Sequence, residues 1–199
     1  KKGKILNQAR QAIMNTRKYR PIKMEEWTKK PEKKEEQEKM ALKIWKKHVK
    51  EWDIILLTDG SAYEDGRIGG AYLIYRVDTE VDGVRVAVIL GKLIKVPIEE
   101  CGDCFIAETH TLIQAINHAD EIKKDYPELN VGILADPQGG IRSTGSDKPQ
   151  YECAISLQEA RGQTESQIPI HWIPGHALPE HNEVDQGAKE VAQSSKITI

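Results

Sequence analysis

Two of the uninterrupted apolar stretches of this chain lead to an aspartate. Residues 54–57 read Ile-Ile-Leu-Leu and lead through Thr58 to Asp59; residues 131–135 read Val-Gly-Ile-Leu-Ala and lead to Asp136. A strand with one face in water alternates apolar and polar residues, so a run without alternation must be covered on both faces. That requirement puts helices above and below a sheet and restricts the chain to a layered α/β architecture. It also leaves a carboxylate at the end of each buried strand, the edge of an α/β sheet where sites gather.

The remaining pattern fills in the layers. After the first strand, the turn-rich Glu64-Asp65-Gly66-Arg67 leads into a second strand over 69–77. Val81-Asp82-Gly83 then leads into a third over 84–96. Connections this short predict an antiparallel meander. Helical spacing follows over 105–124, with Ile106, Leu112, Ile113, Ile116 and Ala119 on the buried side. Residues 131–135 form strand four, a short helix is expected at Pro137 and another over 150–160. Strand five spans 168–173, and a helix over 180–193 closes the domain. The expectation is a mixed five-stranded sheet, three antiparallel strands then two crossovers, flanked by helices.

Upstream, Ile5, Leu6, Ala9, Ala12 and Ile13 have helical spacing, with Pro21 as a stop. A second helix is expected from after Pro31 to about Trp52, with Met40, Ile44, Trp45, Val49 and Trp52 on one side. The boundary falls near Asp53, which makes 1–52 a basic helical extension or linker and 53–199 the α/β domain. A chain of 199 residues accommodates one domain of about 150 residues plus such an extension.

Charge divides at the same boundary. Residues 1–52 carry 17 Lys/Arg against 7 Asp/Glu, while 53–199 carry 12 against 24. An acidic body repels nucleic acid except where cations neutralise it, so the first 23 residues, with eight basic and no acidic side chains, are candidates for phosphate contacts. The Lys/Glu-rich stretch 29–50 reads first as a solvated helix face laced with Glu–Lys pairs. No apolar run approaches the roughly 20 residues of a membrane span, and no membrane partner is expected. Cys101, Cys104 and Cys153 form no metal-ligand set and read as free thiols of a reducing compartment, an intracellular location, cytoplasmic or nuclear. The first residue is Lys rather than Met, as expected of a piece of something longer.

Two further acids join the pair that ends the strands. Glu108 lies in Ile106-Ala107-Glu108-Thr109 at the head of a predicted helix, and Asp185 follows the run His-Trp-Ile-Pro-Gly-His of residues 171–176. Oxygen ligands of this kind suit Mg2+ or Mn2+. Together with Thr-Asp-Gly-Ser (58–61), Asp-Pro-Gln-Gly-Gly-Ile (136–141), Asn-Glu-Val-Asp (182–185) and Ala188-Lys189, residues from about 53 to 195 resemble a ribonuclease H domain. The pattern is most similar to the domains fused to reverse transcriptases of retroelements.

What the resemblance implies is an RNA–DNA hybrid endoribonuclease, a phosphodiester hydrolase using two Mg2+ ions, with Mn2+ as an alternative, about 4 Å apart across the scissile phosphate. Asp59 would bridge both ions, Glu108 and Asp136 would hold the leaving-group side, and Asp185 the nucleophile side. His176 would move a proton or assist product departure, a role suited to a group titrating near neutrality. Gly60, Ser61, Gln138 and Asn182 would contact substrate: Gln138 in the minor groove of the hybrid, Gly60 and Ser61 through backbone donors to the RNA strand. The implied partners are the hybrid and a reverse transcriptase domain on the same polyprotein. His48, His110 and His118 are expected to be structural or exposed, and His171 and Trp172 to serve packing.

Three departures from the family pattern bear on activity. One residue rather than two separates Glu183 from Asp185, which on a helix turns Asp185 by about 100° unless the preceding loop compensates. Asp136 is followed by Pro137 rather than Ser. Residues 141–170 hold only Arg142, Lys148 and Arg161 as basic residues, so no basic handle is present there. These departures keep two other readings open: a catalytically silent nucleic-acid-binding or scaffolding module of the same fold, and a DNA nuclease or integrase-like relative. The histidine-containing last motif and Gln138 speak against the latter.

Overall fold

The computed structural model describes residues 30–80, 82–136, 141, 152–164 and 166–195. The apolar spacing over 5–13, the basic residues among the first 23, the short helix at Pro137 and the candidate Gln138 lie outside the described residues.

Helix α1 (Lys34–Glu51) opens the described chain and stops where Trp52 turns extended, its N–H bonded to the His48 carbonyl. Strand β1 (Ile54–Ala62) follows, then β2 (Arg67–Thr79), β3 (Arg85–Ile89) and β4 (Ile94–Cys101). Helix α2 (Cys104–Asp125), β5 (Val131–Ala135), α3 (Glu152–Gln163), β6 (Ile170–Trp172) and α4 (Pro179–Ser194) complete the order. The architecture is the mixed α/β sheet with flanking helices that the sequence predicts. β2 and β1 are antiparallel, whereas β1, β5 and β6 run parallel.

The sheet has six strands rather than the expected five. The stretch expected as a single third strand is broken at Gly91, whose φ of 82° lies in the left-handed region that glycine enters without steric cost. The chain there leaves one half of β2 and returns to the other. β3 pairs with residues 75–79 of β2, and β4 pairs with residues 67–72 of the same strand. At 13 residues β2 is long enough to carry both, end to end.

The uninterrupted apolar run of β1 is divided between two cores. Ile54 and Leu56 point to one face, with Leu112, Ile116 and Ala119 of α2 and Leu157 of α3. Ile55 and Leu57 point to the other, with Ala41, Trp45 and Val49 of α1, Trp52, and Val184 and Ala188 of α4. β5 repeats the division, with Ile133 on the first face and Leu134 on the second. Each of these side chains contributes roughly 1.5–3 kcal/mol by leaving water. With helices on both faces and parallel strands in the centre, the C-terminal ends of β1 and β5 share one edge of the sheet, which puts Asp59 and Asp136 side by side.

Candidate metal centre

Asp59 follows Thr58 near the C-terminal half of β1 and is only 7% exposed. The residue after it governs what approaches: a Cβ at Gly60 would collide with the backbone nitrogen of Glu108. Only a glycine lets β1 touch the first turns of α2 so closely, and this contact brings the Glu108 side chain beside Asp59. α2 is started by Asp103, whose side chain accepts from the Ile106 N–H at 3.0 Å, a cap that fixes where Glu108 sits on the first turns. Ser61 continues β1, half-buried, opposite Gly69.

Asp136 leaves β5 and packs against the backbone of Gly175, where a Cβ would overlap its carboxylate. Lys30 Nζ stands 4.0 Å from its other oxygen. His176 follows, the one non-glycine residue with positive φ (54°) among the described residues. This conformation is sparsely populated for side-chain-bearing residues and tends to occur at functional sites. It directs the exposed ring toward α4, where Nδ1 lies 3.7 Å from Asp185 Oδ1. Asp185 is also held by Lys189 one turn on, at 2.6 Å.

The shortened spacing before Asp185 does not carry it out of the site. Pro179 starts α4 at its first helical position, as suits a residue with no N–H to donate, and Asp185 comes about two turns later. One ligand atom each from Asp59, His176 and Asp185 then lies within 4.8 Å of the others. Glu108 and Asp136 are outside that tight group but face it. Asn182, by contrast, is exposed, and with His176 and Leu178 it lines a groove beside the site rather than the carboxylate cluster itself.

Electrostatics describe the same cluster. Burial pushes the Asp59 carboxyl up to about 6; His176 and the Gly60 N–H oppose the rise, while Asp185 and Asp136 add to it. Burial pushes Glu108 up further, to about 8, reinforced by the negative charge of Asp136, Asp59 and Asp103 and relieved in part by Lys30. Carboxyls crowded in this way hold their negative charge only with difficulty. A divalent cation removes that penalty, so the donor set, its spacing and its shifted acidity all fit one.

A residue not singled out by the motif lies beneath this cluster. His181, one turn before Asp185 on α4, is 1% exposed, and among the described residues neither ring nitrogen has a hydrogen-bond partner. Burial pulls its pKa down to about 4, against the pull of Asp136 and Asp185, so the ring is neutral at physiological pH. The i, i+4 relation to Asp185 is the sequence signal that could have found it, since both project from one side of α4. The remaining histidines pack as expected: His48 stacks on Trp52 and adjoins His171, and His118 bonds the Tyr72 hydroxyl at 3.0 Å. His110 stands 3.5 Å from Glu100. The three cysteines are free thiols. No helix of the described residues is long and apolar enough to cross a membrane.

No protein-family model matches the chain, and neither does any curated protein sequence. Solved structures do. The foamy viral protease–reverse transcriptase in complex with RNA/DNA hybrid is similar at a TM-score of 0.54 and 15% identity, over 72% of this chain and 20% of that one. The same kind of protein in complex with dsDNA is similar at 0.52 and 18% identity, over 72% of this chain and 96% of the other. The PFV RNase H domain is similar at 0.50 and 15% identity, over 73% of this chain and 97% of that domain. The similarity extends over nearly three quarters of the chain, and the chain has the ribonuclease H fold.

Proposed function

We propose that the protein is a metal-dependent endoribonuclease that hydrolyses the RNA strand of RNA–DNA hybrids. The observation that carries this reading is the convergence of Asp59, His176 and Asp185 within 4.8 Å, with Glu108 and Asp136 facing the same point. Divalent cations bound there would activate the attacking water and neutralise the leaving oxygen. Asp59 occupies the middle of the cluster, in electrostatic reach of Asp185 on one side and of Asp136 and Glu108 on the other. It is therefore the residue suited to serve both sides of a scissile phosphate. Glu108 and Asp136 take the leaving-group side and Asp185 the nucleophile side.

His176 lies at the rim, with an exposed ring beside Asp185, and is suited to deliver a proton to the leaving oxygen. Gly60 and Ser61 are the backbone positions assigned to the RNA strand, the Gly60 N–H exchanging its bond to Asp59 for one to substrate, and Gln138 and Asn182 complete the substrate contacts. Mg2+ fits the oxygen-rich donor set, and Mn2+ fits it together with an imidazole nitrogen. The hybrid as substrate is supported by the likeness to a protein solved with RNA/DNA hybrid. A retroelement polyprotein, with a linked reverse transcriptase and an intracellular location, is the setting that goes with it.

The alternative of a silent binding module draws on a specific contact pattern: Lys189 and Lys30 already stand at Asp185 and Asp136. Incubating residues 1–199 with labelled hybrid in Mg2+ or Mn2+, beside RNA duplex, DNA duplex and the Asp59→Asn variant, separates the readings. The expected result is cleavage of the hybrid alone, abolished in the variant. Retained hybrid binding with no cleavage in either metal would leave the silent module.

A further inference from the structure

Helix α1 turns one face to the sheet and the other to solvent, and from residue 39 to residue 50 every exposed charge is a lysine. Ala41, Trp45, His48 and Val49 form the buried side. Lys39, Lys43, Lys46, Lys47 and Lys50 fall within roughly 100° of arc on the opposite side, and from residue 39 to residue 50 that arc contains no acid. The acids of the helix lie toward its two ends: Glu35 and Glu36 in the first turn, where they complement the helix dipole, Glu38 just after them, and Glu51 as the last residue. The Glu–Lys pairing expected from the sequence does not neutralise the row: among the described residues Lys39, Lys43, Lys46 and Lys50 form no ion pair.

The row leads to the metal centre. A groove of about 670 Å³ runs between the start of α1 and the loop after His176; one wall carries Lys34 and Lys39 together with Glu35 and Glu38, and His176 and Asn182 stand on the other. A second depression, of about 520 Å³, is lined by the five lysines of the row, by Leu42 and, at its far end, by Glu51. Lys39 and Leu42 border both, so the two form one path from the histidine along the helix. Lys39 to Lys50 spans about 16 Å of helix axis, the rise of about five base pairs. The domain that follows is acidic, residues 53–199 carrying twice as many acidic as basic side chains, so α1 brings to the site a basic face that the domain's overall charge does not.

We infer that the lysine face of α1 is a phosphate track, which holds the backbone of the nucleic acid as it leaves the metal centre past His176. This rests on the reading of the protein as a nucleic-acid enzyme, and it assigns to α1 the basic surface that residues 141–170 lack. Contacts of this kind are to phosphate, so they position the substrate without reading its sequence.

The test uses the full chain in the Asp59→Asn background, so that substrate is not consumed, and measures anisotropy of a labelled RNA–DNA hybrid across roughly 50 to 200 mM salt. Replacing Lys39, Lys43, Lys46 and Lys50 together by Ala is expected to weaken binding at least ten-fold and to flatten the salt dependence by about 3 in slope. The matching Lys→Arg variant should restore both. All four side chains are exposed, and an unchanged circular dichroism melt verifies the fold. Equal affinity and slope in the Ala variant would overturn the inference and leave the lysines to an acidic protein partner. Absence of hybrid binding by the unsubstituted chain would overturn it as well. Hydrolysis by the Asp59-containing protein, measured in parallel, reports separately on the nuclease reading: lysine-dependent binding without cleavage would sink that reading and keep the track.

Discussion

β1 carries an aspartate just before its first residue and another near its far end, and the two are treated in opposite ways. Asp53 is fully matched: one oxygen accepts from Arg85 Nη2 at 2.9 Å and the other from the Asn130 N–H at 2.8 Å. Its backbone also bonds to Asn130 and Val77, so it ties β2, β3 and the start of β5 together at one end of the sheet. Asp59 has one short-range donor, the N–H of Gly60 at 2.8 Å, and is otherwise surrounded by burial and by other carboxylates. The first arrangement lowers the energy of the fold; the second raises it and is tolerable only if something else supplies positive charge. Where a protein leaves a buried acid so poorly compensated, a functional site is the economical explanation.

This contrast can be broken most drastically at Asp59. Asp59→Asn should reduce hybrid hydrolysis by roughly a thousand-fold or more while leaving the melting temperature unchanged or higher in the absence of metal. An active Asn variant would remove Asp59 from the centre of the chemistry. At the other end, Asp53→Ala should leave the cleavage rate per folded molecule intact but destabilise the protein by about 2 kcal/mol. Urea unfolding monitored by Trp fluorescence would register that loss, and an undiminished midpoint would show the Asp53 network to be ornamental.

A gentler probe is pH. Asp59 and Glu108 titrate higher in the fold, at about 6 and about 8, than their ordinary values of 3.8 and 4.5. Their contribution to stability is therefore fully present below the ordinary values and is lost as pH rises through the folded ones. The metal-free protein should melt at progressively lower temperature from about pH 5 to about pH 8, and Glu108→Gln should recover roughly 1–2 kcal/mol at the upper end. Mg2+ or Mn2+ should raise the melting temperature more at the upper end than at the lower. A flat pH profile without metal would contradict the crowding described for the cluster.

The smallest effect is expected at His181. Because neither ring nitrogen has a partner among the described residues, His181→Leu is expected to give up no hydrogen bond and to change stability by less than about 1 kcal/mol. A destabilisation well beyond that, seen in the same unfolding assay, would reveal a partner that holds the ring.

How much of this was legible beforehand depended on where each residue's constraint lies. The apolar run of β1 announces its own burial, since Ile54 through Leu57 can be satisfied only between two helical layers. The carboxylates at the ends of β1 and β5 follow from the same rule. The third strand was misjudged because its apolar residues are poor witnesses: Val84, Val88, Ile89 and Leu90 are exposed, so their alternation carries no information about a core. The break at Gly91 is a backbone event that a longer apolar pattern conceals. Asp185 was in doubt because counting between Glu183 and Asp185 ignores where the helix begins; Pro179 sets the phase, and the phase returns the carboxylate to Asp59. His181 was overlooked for the same reason, since its burial depends on the rotation of α4 rather than on its neighbours in the chain.

Gly60 has a bearing on how this protein tolerates change. It has no side chain to offer, yet the contact between β1 and α2 is closed to anything larger than hydrogen. Any substitution must push the start of α2 away and carry Glu108 with it, so the separation of two acids is set by a residue with no chemistry of its own. In a selection for activity, position 60 would be as invariant as the acids themselves. Ranking positions by tolerance alone would then count among the catalytic residues one whose contribution is an absence of atoms.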